Sequence, residues 1–223
     1  MRVDIFGTPI FIYSLPNAKE FNNFILDKYK YDPSFRINYE DQEKDPEIKR
    51  NLSILNQEIR QPIDTDDVFP NLEPAITALC NENSLEMNIK PQYPWINFMQ
   101  KGDHQEIHTH PDSNIVCVYM VKLPKDGAKL FLYQQQTLSM AYGWWHVSGE
   151  NQPKSFYVPD LKEGDCIFFP GYMEHAVSKH KVNEERVTIS QNINLVAGDD
   201  GTLRGGIASI GSGPGDRIKP QFY

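Results

Sequence analysis

A mainly β chain with flanking helices, its strands closing into an antiparallel barrel or sandwich, is what this 223-residue sequence predicts, and three observations carry it. After Pro94 the chain breaks into short apolar or alternating runs, WINFM, NIVCVYMVKL, KLFLY, SFYVP, DCIFF and RVTISQNINLV, each bounded by Gly, Pro, Asp or Asn. Ahead of Pro94 only two stretches carry helical spacing. No apolar run approaches the roughly 18 residues that a membrane helix needs.

The elements follow in order. Residues 4–13, DIFGTPIFIY, are β-branched and aromatic around Gly-Thr-Pro, which predicts a strand pair or a bent edge strand. Residues 17–30 place Phe21, Phe24, Ile25 and Tyr29 on one helical stripe behind a candidate N-cap at Asn17. From 31 to 70 acids, amides and prolines dominate with weak periodicity, so long loops are expected, with no motif. A second helix is expected from Leu72 to Met87, where Leu72, Ile76, Leu79 and Cys80 share a stripe. One catalytic unit is expected over 1–223: a helical and loop scaffold over 1–94, a β core over 95–197, and a glycine-rich, flexible tail over 198–223.

Composition narrows the function. A net charge of -8 disfavours a phosphate backbone as partner, because such binding relies on clustered cations, so a small molecule or peptide is the expected substrate rather than nucleic acid or membrane. The start reaches Asp4 at once and does not read as a signal peptide. Cys80, Cys117 and Cys166 are odd in number and form no CxxC pair, which fits a reducing, cytoplasmic setting.

Three histidines carry the chemistry. Side chains alternate along a strand, so in Glu106-Ile-His-Thr-His-Pro-Asp the side chains of His108, His110 and Asp112 share a face. A second segment, Gly164-Asp-Cys-Ile-Phe-Phe-Pro-Gly-Tyr-Met-Glu-His175, ends an apolar strand in a Pro-Gly turn and delivers a histidine. Closing the barrel brings the segments together, and two ligands from one strand with one from another leave a side of the ion open, as metal-assisted oxidation requires. His108, His110 and His175 are the favoured ligands. Asp112 is the alternative to His110, since both lie two residues from a neighbouring candidate. His104, His146 and His180 sit in polar or loop contexts and are assigned to the surface or to local hydrogen bonds.

Eleven residues beyond His175, Arg186 opens a strand on which Thr188, Ser190 and Asn192 share its face. An inward guanidinium calls for a carboxylate, and its planar fork suits one in bidentate geometry. An acidic ligand is therefore expected at Arg186; pairing with an internal acid is the competing account. Tyr142, Trp144 and Trp145, in the stretch 134–153, are candidates for packing on substrate, or for capping the barrel.

Taken together, FGTPIFIYSLP, WINF, HTHPDSNIVCVYMVKLP, VPDLKEGDCIFFPGYMEHAV and ERVTISQNIN resemble a family of 2-oxoglutarate-Fe(II) oxygenases related to the prolyl hydroxylases, over nearly the whole chain up to Leu195. The resemblance implies a double-stranded β-helix of the jelly-roll or cupin-like kind. It also implies an enzyme that couples O2 to decarboxylation of 2-oxoglutarate, releasing succinate and CO2, and hydroxylates its substrate. His108, His175 and an intervening ligand would hold Fe(II), and Arg186 with Thr188 the distal carboxylate of the cosubstrate. Related sequences often have two tyrosines where this chain has Tyr119-Met120, so Met120 stands at a cosubstrate position. Gly102, the HxH step, Gly164, Pro170 and His175 also match the cupin spacing without its first-half glutamate. A three-histidine dioxygenase that does not use 2-oxoglutarate is therefore the enzyme alternative, and a metal-free or sugar-binding barrel the non-enzyme one.

Overall fold

The computed structural model describes residues 1–5, 8–35, 59–82, 88–133, 156–196 and 206–207. The strands, numbered through these residues, are β1 Arg2–Ile5, β2 Thr8–Ser14, β3 Ile59–Pro62, β4 Asn88–Pro91, β5 Trp95–Met99, β6 Gln105–His108 and β7 Ile115–Lys122. They continue with β8 Leu130–Tyr133, β9 Phe156–Tyr157, β10 Asp165–Pro170, β11 His175–Val177, β12 Arg186–Val196 and β13 Gly206–Ile207. The helices are α1 Ala18–Lys28 and α2 Thr65–Glu82. No described helix is long and apolar enough to cross a membrane.

The strands form two sheets. In the larger, the order is β1-β2-β10-β7-β12, with β5 and then β3 added beside the first half of β12 and β4 beside its second half. A four-stranded sheet, β6-β11-β8-β9, faces it. Every pairing is antiparallel except β13 with β4. That short pairing lies inside the stretch 198–223 expected to be a flexible tail, the rest of which lies outside the described residues.

Alternation along the strands sorts the larger sheet into two faces. Ile96, Phe98, Tyr119, Phe168, Val187 and Ile189 point away from the smaller sheet and are covered by the helices, which contribute Phe21, Ile25, Leu72, Ile76 and Leu79. Burying each such side chain contributes about 1.5–3 kcal/mol. Tyr119 sets the two faces apart: its hydroxyl donates to Asn22 Oδ1 on α1 at 2.6 Å, so its ring belongs to the helix side, whereas Met120 packs on the inner face.

The first helix follows the predicted stripe except that Phe24 is exposed. Asn17 precedes it without a capping hydrogen bond, and its amide instead donates to Asn71 of α2. The second helix begins seven residues before the expected Leu72 and is described as far as Glu82; the expected end at Met87 lies outside the described residues. Asp64 is the reason for the early start: its Oδ1 accepts the Asp66 N–H at 3.0 Å, the hydrogen bond of an N-cap. The helix then runs through Pro70 and Pro74, which in sequence argue for loop. The expectation of loops across 31–70 is thus corrected at Thr65 and again at β3, which pairs with β5. Cys80, Cys117 and Cys166 are buried and free.

Candidate metal centre

Strand register brings the first two histidines together. His108, the last residue of β6, sits directly opposite His175, the first residue of β11, and their ring centroids are 4.1 Å apart. His110 lies two residues beyond the strand, where its N–H donates to the Gly171 carbonyl at 2.8 Å. Its ring is 5.3 Å from that of His108 and 5.0 Å from that of His175. One ligand nitrogen from each lies within 4.8 Å of the other two. Three nitrogens each about 2.1 Å from one ion need little more convergence than that.

The far side of each ring is anchored. Nδ1 of His108 meets the Glu106 carbonyl at 2.8 Å, Nδ1 of His175 the Met173 carbonyl at 2.9 Å, and Nδ1 of His110 the Asn192 side-chain oxygen at 2.7 Å. An oxygen acceptor at Nδ1 holds the proton there and leaves the Nε2 lone pair for a ligand, the arrangement that metal-bound histidines use. Phe169 packs edge-on against His175, and Trp95 stacks on His110 with centroids 6.0 Å apart. The Gln105 amide reaches His108 Nε2 at 3.1 Å.

Asp112 is not part of this group. The chain leaves β6 at His108 and turns at Pro111–Asp112, closed by the Ser113 N–H to His110 carbonyl bond at 3.1 Å, so the assumption of a strand face continuing to Asp112 does not hold. Asp112 is exposed there, and its own carbonyl accepts from Gln92.

Burial disfavours the protonated form of all three rings. It pushes His108 down to about 4, with the Arg60 and His110 charges acting the same way against the Glu106 hydrogen bond. Burial likewise lowers His110, and it lowers His175 well below the ordinary value, aided by the charges of His108 and His110. The sign for stability follows. Between the ordinary 6.5 and about 4 the unfolded chain takes up a proton that folded His108 refuses, so the metal-free protein loses stability as pH falls through that window. His108 alone accounts for about 2 kcal/mol by pH 5, a drop of roughly 4–8 °C in Tm. Melting curves of metal-free protein at pH 7, 6 and 5 should show it, and the slope should shrink in His108→Asn; a flat Tm across that range would refute the assignment.

The cavity between the sheets is lined by all three histidines and, along β12, by Arg186, Thr188 and Ser190. Arg186 is buried at 3% exposure, and its Nη1 donates to Thr188 Oγ1 and to Met99 Sδ, each at 3.5 Å. Asn97 on β5, opposite Thr188, donates to Ser190 Oγ at 2.9 Å and to Thr188 Oγ1 at 3.4 Å. Its Oδ1 is buried with no protein partner among the described residues, an acceptor open to a polar ligand. Val116, Val118, Leu130 and Val177 supply the apolar remainder. Met120 lies opposite Thr188 on β7 and lines, with Arg186, Leu130 and Leu161, a second cavity.

Tyr142, Trp144 and Trp145 lie outside the described residues. His104 is 3.9 Å from Glu106, and His180 is buried in local hydrogen bonds to the Ala128 N–H and the Glu184 carbonyl, away from the cluster. Sequence reasoning missed Trp95, Asn97, Gln105 and Arg60. For Trp95 and Asn97 the signal was present, since alternate residues of WINFM must face the same side as an inward β12 stripe. Arg60 gave none, because nothing in sequence places β3 beside β5.

Residues 93–192 match a family model described as "Putative 2OG-Fe(II) oxygenase", so the resemblance seen in sequence holds over that stretch. A viral collagen prolyl hydroxylase from Paramecium Bursaria Chlorella virus-1, solved as its 2OG complex, superposes with a TM-score of 0.53 at 12% identity, covering 84% of this chain and 96% of that one. HygX from Streptomyces hygroscopicus, with nickel and 2-oxoglutarate bound, gives 0.51 at 9% identity over 84% and 83% of the two chains. A Pseudomonas putida prolyl-4-hydroxylase gives 0.51 at 12% identity over 85% and 93%. A comparison with curated proteins finds no match. The shared fold is the double-stranded β-helix expected from the sequence.

Proposed function

We infer that the chain is an Fe(II)- and 2-oxoglutarate-dependent oxygenase that hydroxylates a small molecule or a peptide side chain. The observation that carries this reading is one cavity lined by three Nδ1-anchored histidines and, from the facing sheet, by a buried arginine. It agrees with the family match over 93–192. His108, His110 and His175 would hold the iron. Iron held there supplies activation of O2, coupled to decarboxylation of 2-oxoglutarate to succinate and CO2.

The chain's own residues do the rest. Arg186 would take the distal carboxylate of 2-oxoglutarate as a charge-assisted pair, with the Thr188 hydroxyl beside it at 3.5 Å. Asn97 is tied to both Thr188 and Ser190, so the polar wall is braced from Arg186 towards Asn192, which in turn orients His110. A wall braced in this way loses little order when a ligand binds, and positioning is what the protein contributes to such a reaction. The valines and Leu130 keep water away from the reacting end. Met120 offers no hydrogen bond where related chains have a tyrosine, so Arg186, Thr188 and Asn97 carry the polar recognition.

Arg186→Ala should weaken 2-oxoglutarate binding at least about tenfold, the usual consequence of losing a charge-assisted pair, while leaving iron content unchanged. Calorimetry on the metal-loaded protein measures the first and metal analysis the second. An unchanged affinity would reject the assignment. The three-histidine donor set also matches a cupin-type dioxygenase without 2-oxoglutarate, and that reading predicts an iron-loaded wild type that 2-oxoglutarate neither binds nor stabilises against heat.

A further inference from the structure

Side chains three residues apart on a regular strand point to opposite faces, yet Gln105 and His108 of β6 share one. The pairing with β11 shows how. His108 lies opposite His175 and Gln105 opposite Val177, so three steps along β6 match two along β11 and one extra residue is accommodated between them. His175 and Val177 both line the cavity, and Gln105 lines it with them. Ile107, within the bulge, is left outside at 56% exposure.

The bulge holds the His108 ring at both nitrogens. Its Glu106 carbonyl accepts from Nδ1 at 2.8 Å, and the Gln105 side-chain amide nitrogen stands 3.1 Å from Nε2. A neutral imidazole has a single N–H, and here it is directed at Glu106. Nε2 is therefore an acceptor, and the Gln105 group that faces it is the NH2 donor. That lone pair is also the one a metal ion needs. An ion on His108 would stand about 2.1 Å from Nε2, so the amide nitrogen starts within roughly 5 Å of it and has to give up its acceptor as the metal bond forms.

The ligand set indicates what the freed donor meets. Three imidazoles bring no charge to a divalent ion, so anionic groups are favoured at its remaining positions. An N–H beside such a group makes a charge-assisted hydrogen bond, whereas ligation through the amide oxygen would add only a fourth neutral donor. We propose that Gln105 is a positioning residue of the metal centre: its amide closes the His108 lone pair until a metal takes it, and then donates to the anionic ligand bound on the ion beside His108. This rests on the three-histidine centre and not on the identity of the cosubstrate. In the oxygenase reading, the ligand so held is the carboxylate of 2-oxoglutarate at the end opposite the one assigned to Arg186.

The test uses the full chain, with Zn(II) as the diamagnetic probe for spectra, Co(II) as the probe for affinities and azide as the anionic ligand. In 1H–15N spectra the Gln105 side-chain amide should shift when Zn(II) is added to metal-free protein, and shift again with azide. Gln105→Leu removes a donor that is partnered both before and after loading. Co(II) affinity should therefore stay within about threefold of wild type, while the azide affinity of the Co(II)-loaded protein falls about tenfold. A role confined to folding, or ligation through Oε1, would appear instead as a loss of Co(II) affinity of about tenfold or more, and either would overturn the proposal. So would an unchanged azide affinity, or an amide signal indifferent to Zn(II), a readout that needs no variant. A wild type that takes up no Co(II) would remove the metal centre and this role together. A loaded wild type whose azide affinity depends on Gln105 but which does not bind 2-oxoglutarate would sink the oxygenase reading and leave the role of Gln105 standing.

Discussion

Alanine in place of His175 should yield a folded protein that no longer retains stoichiometric iron, with affinity reduced by roughly 100-fold or more, because even the loss of a residue that merely orients a ligand costs 10–100-fold. His175 is the best placed of the three to show this. It is 3% exposed, it faces His108 across the β6–β11 pairing, and its Nδ1 is held by the Met173 carbonyl. His108→Ala should behave the same way, and His110→Ala should follow. Asp112→Ala should keep its iron, since Asp112 sits on an exposed turn. Metal analysis after gel filtration, with circular dichroism as a folding control, separates the cases. Iron retained by His175→Ala, or lost from Asp112→Ala, would mean that the ligand set is wrong.

A second large effect should come from a residue that carries no chemistry. A Cβ at Gly171 would stand 2.0 Å from the Ser113 carbonyl oxygen and 2.8 Å from that of His110. Both obstacles are backbone, so no rotamer relieves the overlap. The turn 110–114 would have to move about 1 Å to restore ordinary contact, against the His110 N–H to Gly171 and Gly171 N–H to Asn114 hydrogen bonds that hold it. Gly171→Ala should therefore cost about 1–3 kcal/mol or more, a fall in Tm of roughly 2–12 °C, and should weaken iron binding at least about tenfold by displacing His110. Thermal melts and metal titration check the two halves. If Gly171→Ala melts lower but binds iron with undiminished affinity, the glycine serves packing alone and does not position His110.

These expectations rest unequally on sequence and structure. The β character after Pro94 was legible because period-two alternation and turn residues are local signals, and the polar stripe of β12 was legible for the same reason: Arg186, Thr188 and Ser190 cannot alternate with Val187 and Ile189 unless the two faces meet different surroundings. The start of α2 was not legible, because two prolines masked a helix that Asp64 caps and that packing against the sheet stabilises. Local pattern also left His110 and Asp112 level, since the two-residue step suits either; only the end of β6 at His108 and the bond to Gly171 turned one towards His175 and the other to solvent.

What the sequence by itself determined was therefore the inventory: which residues have the chemistry, and which of them share a strand face. Which strands lie side by side was decided by tertiary structure alone. Nothing in the forty-seven residues between Arg60 and His108 indicates that β3 joins β5 in the sheet facing the one that carries His108 and His175. Non-local pairing is paid for by burial of whole faces rather than by any residue's own preference, so the juxtaposition of Arg60, Asn97 and Thr188 exists only once the sheet has closed.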